Sequence, residues 1–267
     1  MEERRGSSSS HFVLVHGACH GAWCWYKLLP LLKSAGHSVT ALDLEASGTN
    51  SNRASDIRTL TQYTNPLLEA LDSTNGDERV ILVGHSFGGF SVALGTEKFP
   101  EKVAAAVFVA AFMPDSSSPP SYITAKFRES LPSEGMMDTQ VAYDRGVENP
   151  PTSSVLGPRI LSSLLYQNCS PEDLTLATML VRPTPTALDD FSDENLLTME
   201  RYGSVPRVYV ICTEDKIIKE EFQRWMIGNY PPKEIKAIEG SDHMPMLCKP
   251  EELCQFLLEI AKIYSST

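Results

Sequence analysis

Residues 80–89 read Val80-Ile81-Leu82-Val83-Gly84-His85-Ser86-Phe87-Gly88-Gly89, a β-branched apolar run that breaks off into Gly-x-Ser-x-Gly. An apolar strand before the motif and helical spacing after it, to about Phe99, predict a strand, a sharp turn and a helix. The serine backbone is crowded on such a turn, so only small residues fit two positions to either side. Gly84 and Gly88 supply them. The hydroxyl of Ser86 then stands above the strand end, at a helix N-terminus whose dipole favours developing negative charge. A serine serving only as a helix cap would also tolerate flanking glycines. The strand on one side and the helix on the other favour a nucleophile.

Working outward, the alternation repeats. Phe12-Val13-Leu14-Val15 predicts a buried strand that stops at His16-Gly17. A helix over 23–35 follows, with Pro30 in an early turn and Gly36 as its C-cap, and then a strand over 39–44. A helix is expected over 60–71 and a strand over 103–112. After Pro114 the rhythm stops. Residues 114–202 are rich in Pro and Ser, with helix-like pieces at 159–166 and 170–180. The rhythm resumes with a strand at 207–212, a helix at 219–227, a strand at 234–238 and a closing helix at 250–264. This pattern demands an α/β fold: a mostly parallel sheet covered by helices on both faces, with ligands at the carboxyl ends of the strands. Residues 1–10 read as a disordered tail, 11–113 and 203–267 as the core, and 114–202 as an inserted cap over the active site.

Bulk composition narrows the function. The 267 residues are 42% hydrophobic and carry a formal net charge of −11, with no Lys/Arg cluster beyond Arg4-Arg5. Nucleic-acid and anionic-membrane partners are thereby disfavoured. No stretch has the roughly 18 uninterrupted apolar residues of a membrane span, and the first ten residues lack the apolar run of a secretory signal. A cytoplasmic protein is expected, and a homodimer is compatible with that reading. The six cysteines are scattered without a Cys-x-x-Cys pair, no His/Cys/Asp cluster shows ligand spacing, and no Gly-x-Gly-x-x-Gly follows a strand. Neither a metal nor an organic cofactor is expected.

A serine hydroxyl needs a base, and the base needs an orienting acid. In serine hydrolases built on this strand-turn-helix the chain order is Ser, then Asp or Glu, then His. Of six histidines only His243 lies beyond Ser86, in a loop between the last strand and the closing helix. Asp215 directly follows the strand 207–212 and is the favoured acid. Glu214 should point the other way, Asp242 is adjacent to the histidine, and Asp115 is separated from its strand by Pro114. The oxyanion would be met by two backbone N–H groups, of Phe87 and of Ala18 in the turn after the first strand. His16 is expected to brace that turn, and His85 to be a packed neighbour of the serine.

The chain closely resembles the plant methylesterase and hydroxynitrile lyase family of α/β-hydrolases over nearly its whole length from His11 to Tyr264. The likeness is carried by His11-Phe12-Val13-Leu14-Val15-His16-Gly17-Ala18-Cys19-His20-Gly21, by Gly84-His85-Ser86-Phe87-Gly88-Gly89, by Ala111-Phe112-Met113-Pro114-Asp115, by Arg201-Tyr202-Gly203-Ser204-Val205 and by Cys212-Thr213-Glu214-Asp215-Lys216. It implies an α/β-hydrolase fold, a Ser86, Asp215, His243 triad and Ala18 and Phe87 as oxyanion donors. Lyases of the family have a threonine where Gly17 stands and a lysine where Met244 stands, so the resemblance points to an esterase acting on a small-molecule methyl ester. Hydroxynitrile lysis, or a slow-turnover ligand-binding receptor on the same fold, are the alternatives. Phe127, Met136 and Leu188 are candidate substrate contacts from the cap, with Met136 standing where a salicylate-cleaving relative carries a tryptophan. Jasmonate, salicylate, indole acetate and alkaloid methyl esters all stay open as substrates.

Overall fold

This computed structural model describes residues 9–76, 78–131 and 136–265. Of the tail expected over 1–10, residues 1–8 lie outside the described residues. Ser10 does not behave as tail: it is buried, its N–H donates to His37 Nδ1 at 3.1 Å and its carbonyl accepts from Ser38 N at 2.9 Å.

Among the described residues the chain runs through β1 (His11–Val15), α1 (Leu28–Ser34), β2 (Ser38–Leu42), α2 (Leu60–Asp72), β3 (Val80–His85), α3 (Gly88–Lys98) and β4 (Val103–Val109). An insert follows, with α4 (Pro120–Ser130), β5 (Gln140–Ala142), β6 (Ser153–Val155), α5 (Pro158–Ile160), α6 (Pro171–Leu180) and β7 (Thr184–Pro185). The chain then returns through β8 (Arg207–Cys212), α7 (Glu220–Asn229), β9 (Glu234–Ile238), α8 (Pro245–Cys248) and α9 (Pro250–Tyr264). Six strands form one parallel sheet in the order β2-β1-β3-β4-β8-β9.

Side chains alternate across that sheet. Phe12, Leu14, Ile81, Val83, Val107 and Val210 pack with Trp25, Leu28, Leu253 and Leu257 on one face. Val13, Val15, Leu82, Phe108, Tyr209 and Ile211 pack with Leu67, Phe90, Leu94 and Phe222 on the other. Because both faces are covered, β1, β3, β4 and β8 read as unbroken apolar runs and not as alternating ones. All strands point the same way, so the loops after β1, β3, β8 and β9 meet at one edge. Those loops hold Ala18, Ser86, Asp215 and His243.

Several boundaries differ from the sequence reading. The strand expected over 103–112 stops at Val109, since Ala110 has φ +42°, a left-handed conformation that no strand continues through. The chain then turns back, and Phe112 N–H donates to the Ser86 carbonyl at 3.1 Å. The expected helix over 23–35 is a short 3₁₀ turn, Ala22–Trp25, followed by α1. Pro30 is the third residue of α1, where a missing N–H breaks no intrahelical bond. The helix-like piece at 159–166 is α5 running into a π turn, Leu161–Leu165. Within the insert, α4 and the antiparallel sheet β5-β6-β7 were not expected at all.

The insert is fastened where it matters for the site. Cys19 N–H donates to Thr184 Oγ1 at 3.2 Å, Arg182 N–H donates to Cys19 O at 2.9 Å, and Arg182 Nη1 reaches Gly48 O at 2.8 Å. Its return to the core is anchored by Glu97 on α3. This buried carboxylate accepts from Thr198 N at 2.8 Å, Thr198 Oγ1 at 3.0 Å and Tyr202 N at 3.1 Å. Glu97→Ala would strand three donors, and each unsatisfied buried polar group costs about 1–3 kcal/mol. Urea unfolding of Glu97→Ala is therefore expected to show a loss of at least ~2 kcal/mol, and a loss below ~0.5 kcal/mol would contradict this anchoring role.

Candidate active site

Ser86 sits at φ +54°, in the left-handed region that L-residues avoid. The surroundings hold it there. Ser86 N–H donates to Val109 O at 3.4 Å, and the Ser86 carbonyl accepts from Gly89 N and Phe112 N, both at 3.1 Å. Any Cβ at Gly88 would run into the His16 carbonyl, and one at Gly17 would lie 2.7 Å from Ser86 Cβ. The loop after β1 thus packs directly against the serine.

His243 and Asp215 are both buried, and His243 Nδ1 lies 2.6 Å from Asp215 Oδ2. The other carboxylate oxygen accepts from Ile217 N at 2.8 Å and Ile218 N at 2.9 Å. Burial pushes the Asp215 carboxyl above its usual range, against the pull of His243 and those two N–H groups. With the carboxylate at Nδ1–H, the Nε2 lone pair of His243 is left to act as a base. The competing acids are engaged elsewhere. Asp242 accepts from Met244 N at 2.9 Å and Asn168 N at 2.8 Å. Glu214 accepts from Asn168 Nδ2 at 2.8 Å, and Asp115 Oδ1 from Ser117 N and Ser118 N, both at 2.7 Å.

Ser86 and His243 line one cavity of about 250 Å³ together with Gly17, Ala18 and Phe87. Among the described residues neither the Ala18 nor the Phe87 N–H donates to a protein acceptor. The insert supplies much of the remaining wall, including Phe127 and Met136, and also Thr124, Arg128, Leu156 and Thr186, while Phe112, Ile217 and Ile218 come from the core. Leu188 is not in this wall. It is packed into the core beside Phe191 and borders a separate surface groove. Its apolar character marked it as a contact, but that character serves core packing just before a short 3₁₀ turn, Asp189–Ser192. Met244 lies fully buried in the core, outside the cavity.

Three buried histidines brace the site, each with a ring tautomer dictated by a carbonyl. His16 Nδ1–H donates to Gly17 O at 2.8 Å and its Nε2 accepts from Leu44 N at 3.1 Å. His85 Nε2–H donates to His243 O at 2.7 Å. His20 Nδ1–H donates to Ala18 O at 2.8 Å, and its Nε2 accepts from Tyr166 OH at 2.7 Å. The last pair was missed. His20 stood in plain view four residues after His16, but Tyr166 is 146 residues away and carried no local signal. The expected absence of metal-ligand spacing also needs amending. Folding brings Cys169 to Asp242 and Cys248, which lie more than 70 residues further along the chain, so that the three ligating atoms are within 4.8 Å of one another.

Residues 12–256 match the family model described as the alpha/beta hydrolase family. Salicylic acid-binding protein 2 of Nicotiana tabacum is 55% identical over 96% of this chain and 98% of that protein. Methyl jasmonate esterase 1 of Vitis vinifera is 51% identical over 99% of this chain and 100% of its own length. Among solved structures, polyneuridine aldehyde esterase superposes with a TM-score of 0.91 at 46% identity, covering 95% of this chain and 100% of that one. The Rauvolfia serpentina sequence of that esterase is 47% identical over 94% of this chain and 95% of its own length.

The histidines also set the acid stability. Burial lowers the pKa of His16 and His85, and lowers that of His20 to about 4. The unfolded chain, with histidines near 6.5, then binds protons that the folded chain does not, so stability is full above about pH 6.5 and falls as the pH drops toward 4. His20 alone contributes a loss of about 3 kcal/mol across that window. Thermal unfolding between pH 7.5 and 4.5 is expected to show this decline, with a shallower slope in His20→Gln. Equal slopes in the two proteins would contradict the assignment.

Proposed function

The chain belongs to the alpha/beta hydrolase family, and on that footing we propose that it is a serine esterase hydrolysing the methyl ester of a compact hydrophobic acid, with Ser86, His243 and Asp215 as its triad. The observation that carries this reading is the His243 Nδ1 to Asp215 contact of 2.6 Å, made by a histidine that shares its cavity with the strained Ser86. His243 Nε2 takes the Ser86 proton as Oγ attacks the ester carbonyl. Negative charge then collects on the carbonyl oxygen, where the N–H groups of Ala18 and Phe87 receive it. His243 passes the proton to the departing methoxide, methanol leaves, and water activated by the same histidine cleaves the acyl-enzyme. Asp215 stabilises the imidazolium in both steps without taking the proton itself.

Selectivity follows from the walls. Phe127, Met136, Leu156, Leu165 and Ile217 hold the acyl part by apolar burial, worth roughly 25 cal/mol per Å². Thr124, Arg128 and Thr186 add polar groups from the insert that the apolar reading of the cap had omitted. About 250 Å³ suits one compact acid and no long acyl chains. The relatives' names supply two acids, jasmonate and salicylic acid, and a third compound, polyneuridine aldehyde, on which an esterase acts. The lysine that lyases of the family carry directly after the histidine is replaced here by the apolar Met244, buried outside the cavity. Among the described residues no helix is long and apolar enough to cross a membrane. All six cysteines are free, which suits a reducing compartment, and we assign the enzyme to the cytoplasm.

Ser86→Ala, His243→Ala and Asp215→Asn are each expected to lower kcat for a methyl ester by about 10³-fold or more while leaving the far-ultraviolet circular dichroism unchanged. Near-normal turnover in Asp215→Asn would remove that residue from the triad. In a parallel assay with mass-spectrometric detection of the free acid, methyl jasmonate, methyl salicylate and methyl indole acetate are expected to exceed a triglyceride and mandelonitrile in kcat/KM. Preference for either of the last two would overturn the esterase reading.

A further inference from the structure

We propose that Cys169, Asp242 and Cys248 form a binding site for a soft divalent cation of the zinc class, set at the seam between the insert and the loop that carries His243. The esterase reading gives these three residues no task, and none of them lines the catalytic cavity.

Their arrangement fits the ion. Cys169 Sγ lies 3.4 Å from Asp242 Oδ2 and 3.8 Å from Oδ1, and all three ligating atoms lie within 4.8 Å of one another. With Zn–S about 2.3 Å and Zn–O about 2.0 Å, a tetrahedral site spaces sulfur and oxygen roughly 3.5 Å apart. Ser241 Oγ, 3.4 Å from Cys248 Sγ, adds a hydroxyl beside the open fourth position. The ligands are also carried on a frame that is rigid without the ion. Asp242, fully buried, is oriented by Met244 N at 2.9 Å and Asn168 N at 2.8 Å, while Asn168 Nδ2 is pinned to Glu214 Oε2 at 2.8 Å and Gly240 O at 3.1 Å. Carboxylates held by backbone donors in this way are typical supports of metal ligands.

Binding replaces two thiol protons. Both S–H protons pass to solvent, two sulfur–metal bonds and one oxygen–metal bond form, and the cation, two thiolates and one carboxylate sum to −1. Affinity therefore rises with pH. A hydrogen bond with Cys248, burial and the adjacent carboxylate push the Cys169 thiol up. An ion here would tie the segment bearing Tyr166, the partner of His20, to the segment bearing His243, and so clamp the insert onto the core.

The test uses the full chain, reduced and stripped of metal, titrated with Co²⁺ and then displaced with Zn²⁺. We expect one equivalent to bind with a thiolate-to-cobalt charge-transfer band, lost in Cys169→Ser and in Cys248→Ser and kept in Cys24→Ser. In the unmodified protein, zinc should slow alkylation of Cys169 and Cys248, read by peptide mass spectrometry, and raise Tm. Esterase activity surviving EDTA separates this clamp from a catalytic metal. Absence of the band, its persistence in both serine variants, or unchanged alkylation rates would overturn the proposal, as would a Cys169–Cys248 disulfide formed by diamide in a chain that binds no cobalt.

Discussion

The backbone of Ser86, held at φ +54° between β3 and α3, is the constraint on which the rest of the site depends. A left-handed L-residue costs roughly 1–2 kcal/mol, so the conformation persists only where its surroundings over-determine it. Parallel pairing of β3 with β1 and β4 fixes the strand end, and three backbone hydrogen bonds close the turn. The loop after β1 can then lie against the serine because Gly17 and Gly88 present no Cβ. That close approach brings Ala18 beside Phe87 at the cavity floor, which is the geometry that acyl transfer through an oxyanion requires.

Around that turn, polar order is enforced from carbonyls outward. Gly17 O, Ala18 O and His243 O each accept from a buried imidazole, so three neutral rings are locked without needing a charge. The insert joins the network through Tyr166 and Asn168, and through Thr184 onto Cys19. Cavity shape and catalytic loops are therefore coupled: a change in the segment around 166–169 is felt at both Ala18 and His243. This arrangement explains how an insert with short strands and irregular helices can define a stable pocket.

Much of this was legible in the sequence, and the failures have physical causes. β8, β9 and α9 match their expected bounds, because a fully buried apolar strand, an edge strand of alternating polar and apolar residues and a long amphipathic helix announce themselves by pattern. Ser86, Asp215 and His243 could be singled out as candidates because each follows a strand that the pattern exposes. The strands β5, β6 and β7 span only two or three residues, too few to show alternation, and α4 begins in a run of prolines and serines that hides it. Leu188 was misplaced because apolarity does not reveal direction. The Tyr166 to His20 bond joins residues 146 positions apart and the Cys169 to Asp242 contact residues 73 apart, beyond any local signal.

The central claim is that Ser86 is a nucleophile activated by its place in this turn. A fluorophosphonate probe measures that activation directly, since only an activated hydroxyl attacks phosphorus at a useful rate. One covalent equivalent is expected on the peptide containing Ser86, slowed by a competing methyl ester and greatly reduced in His243→Ala. An unlabelled chain, or label on any other residue, would contradict it.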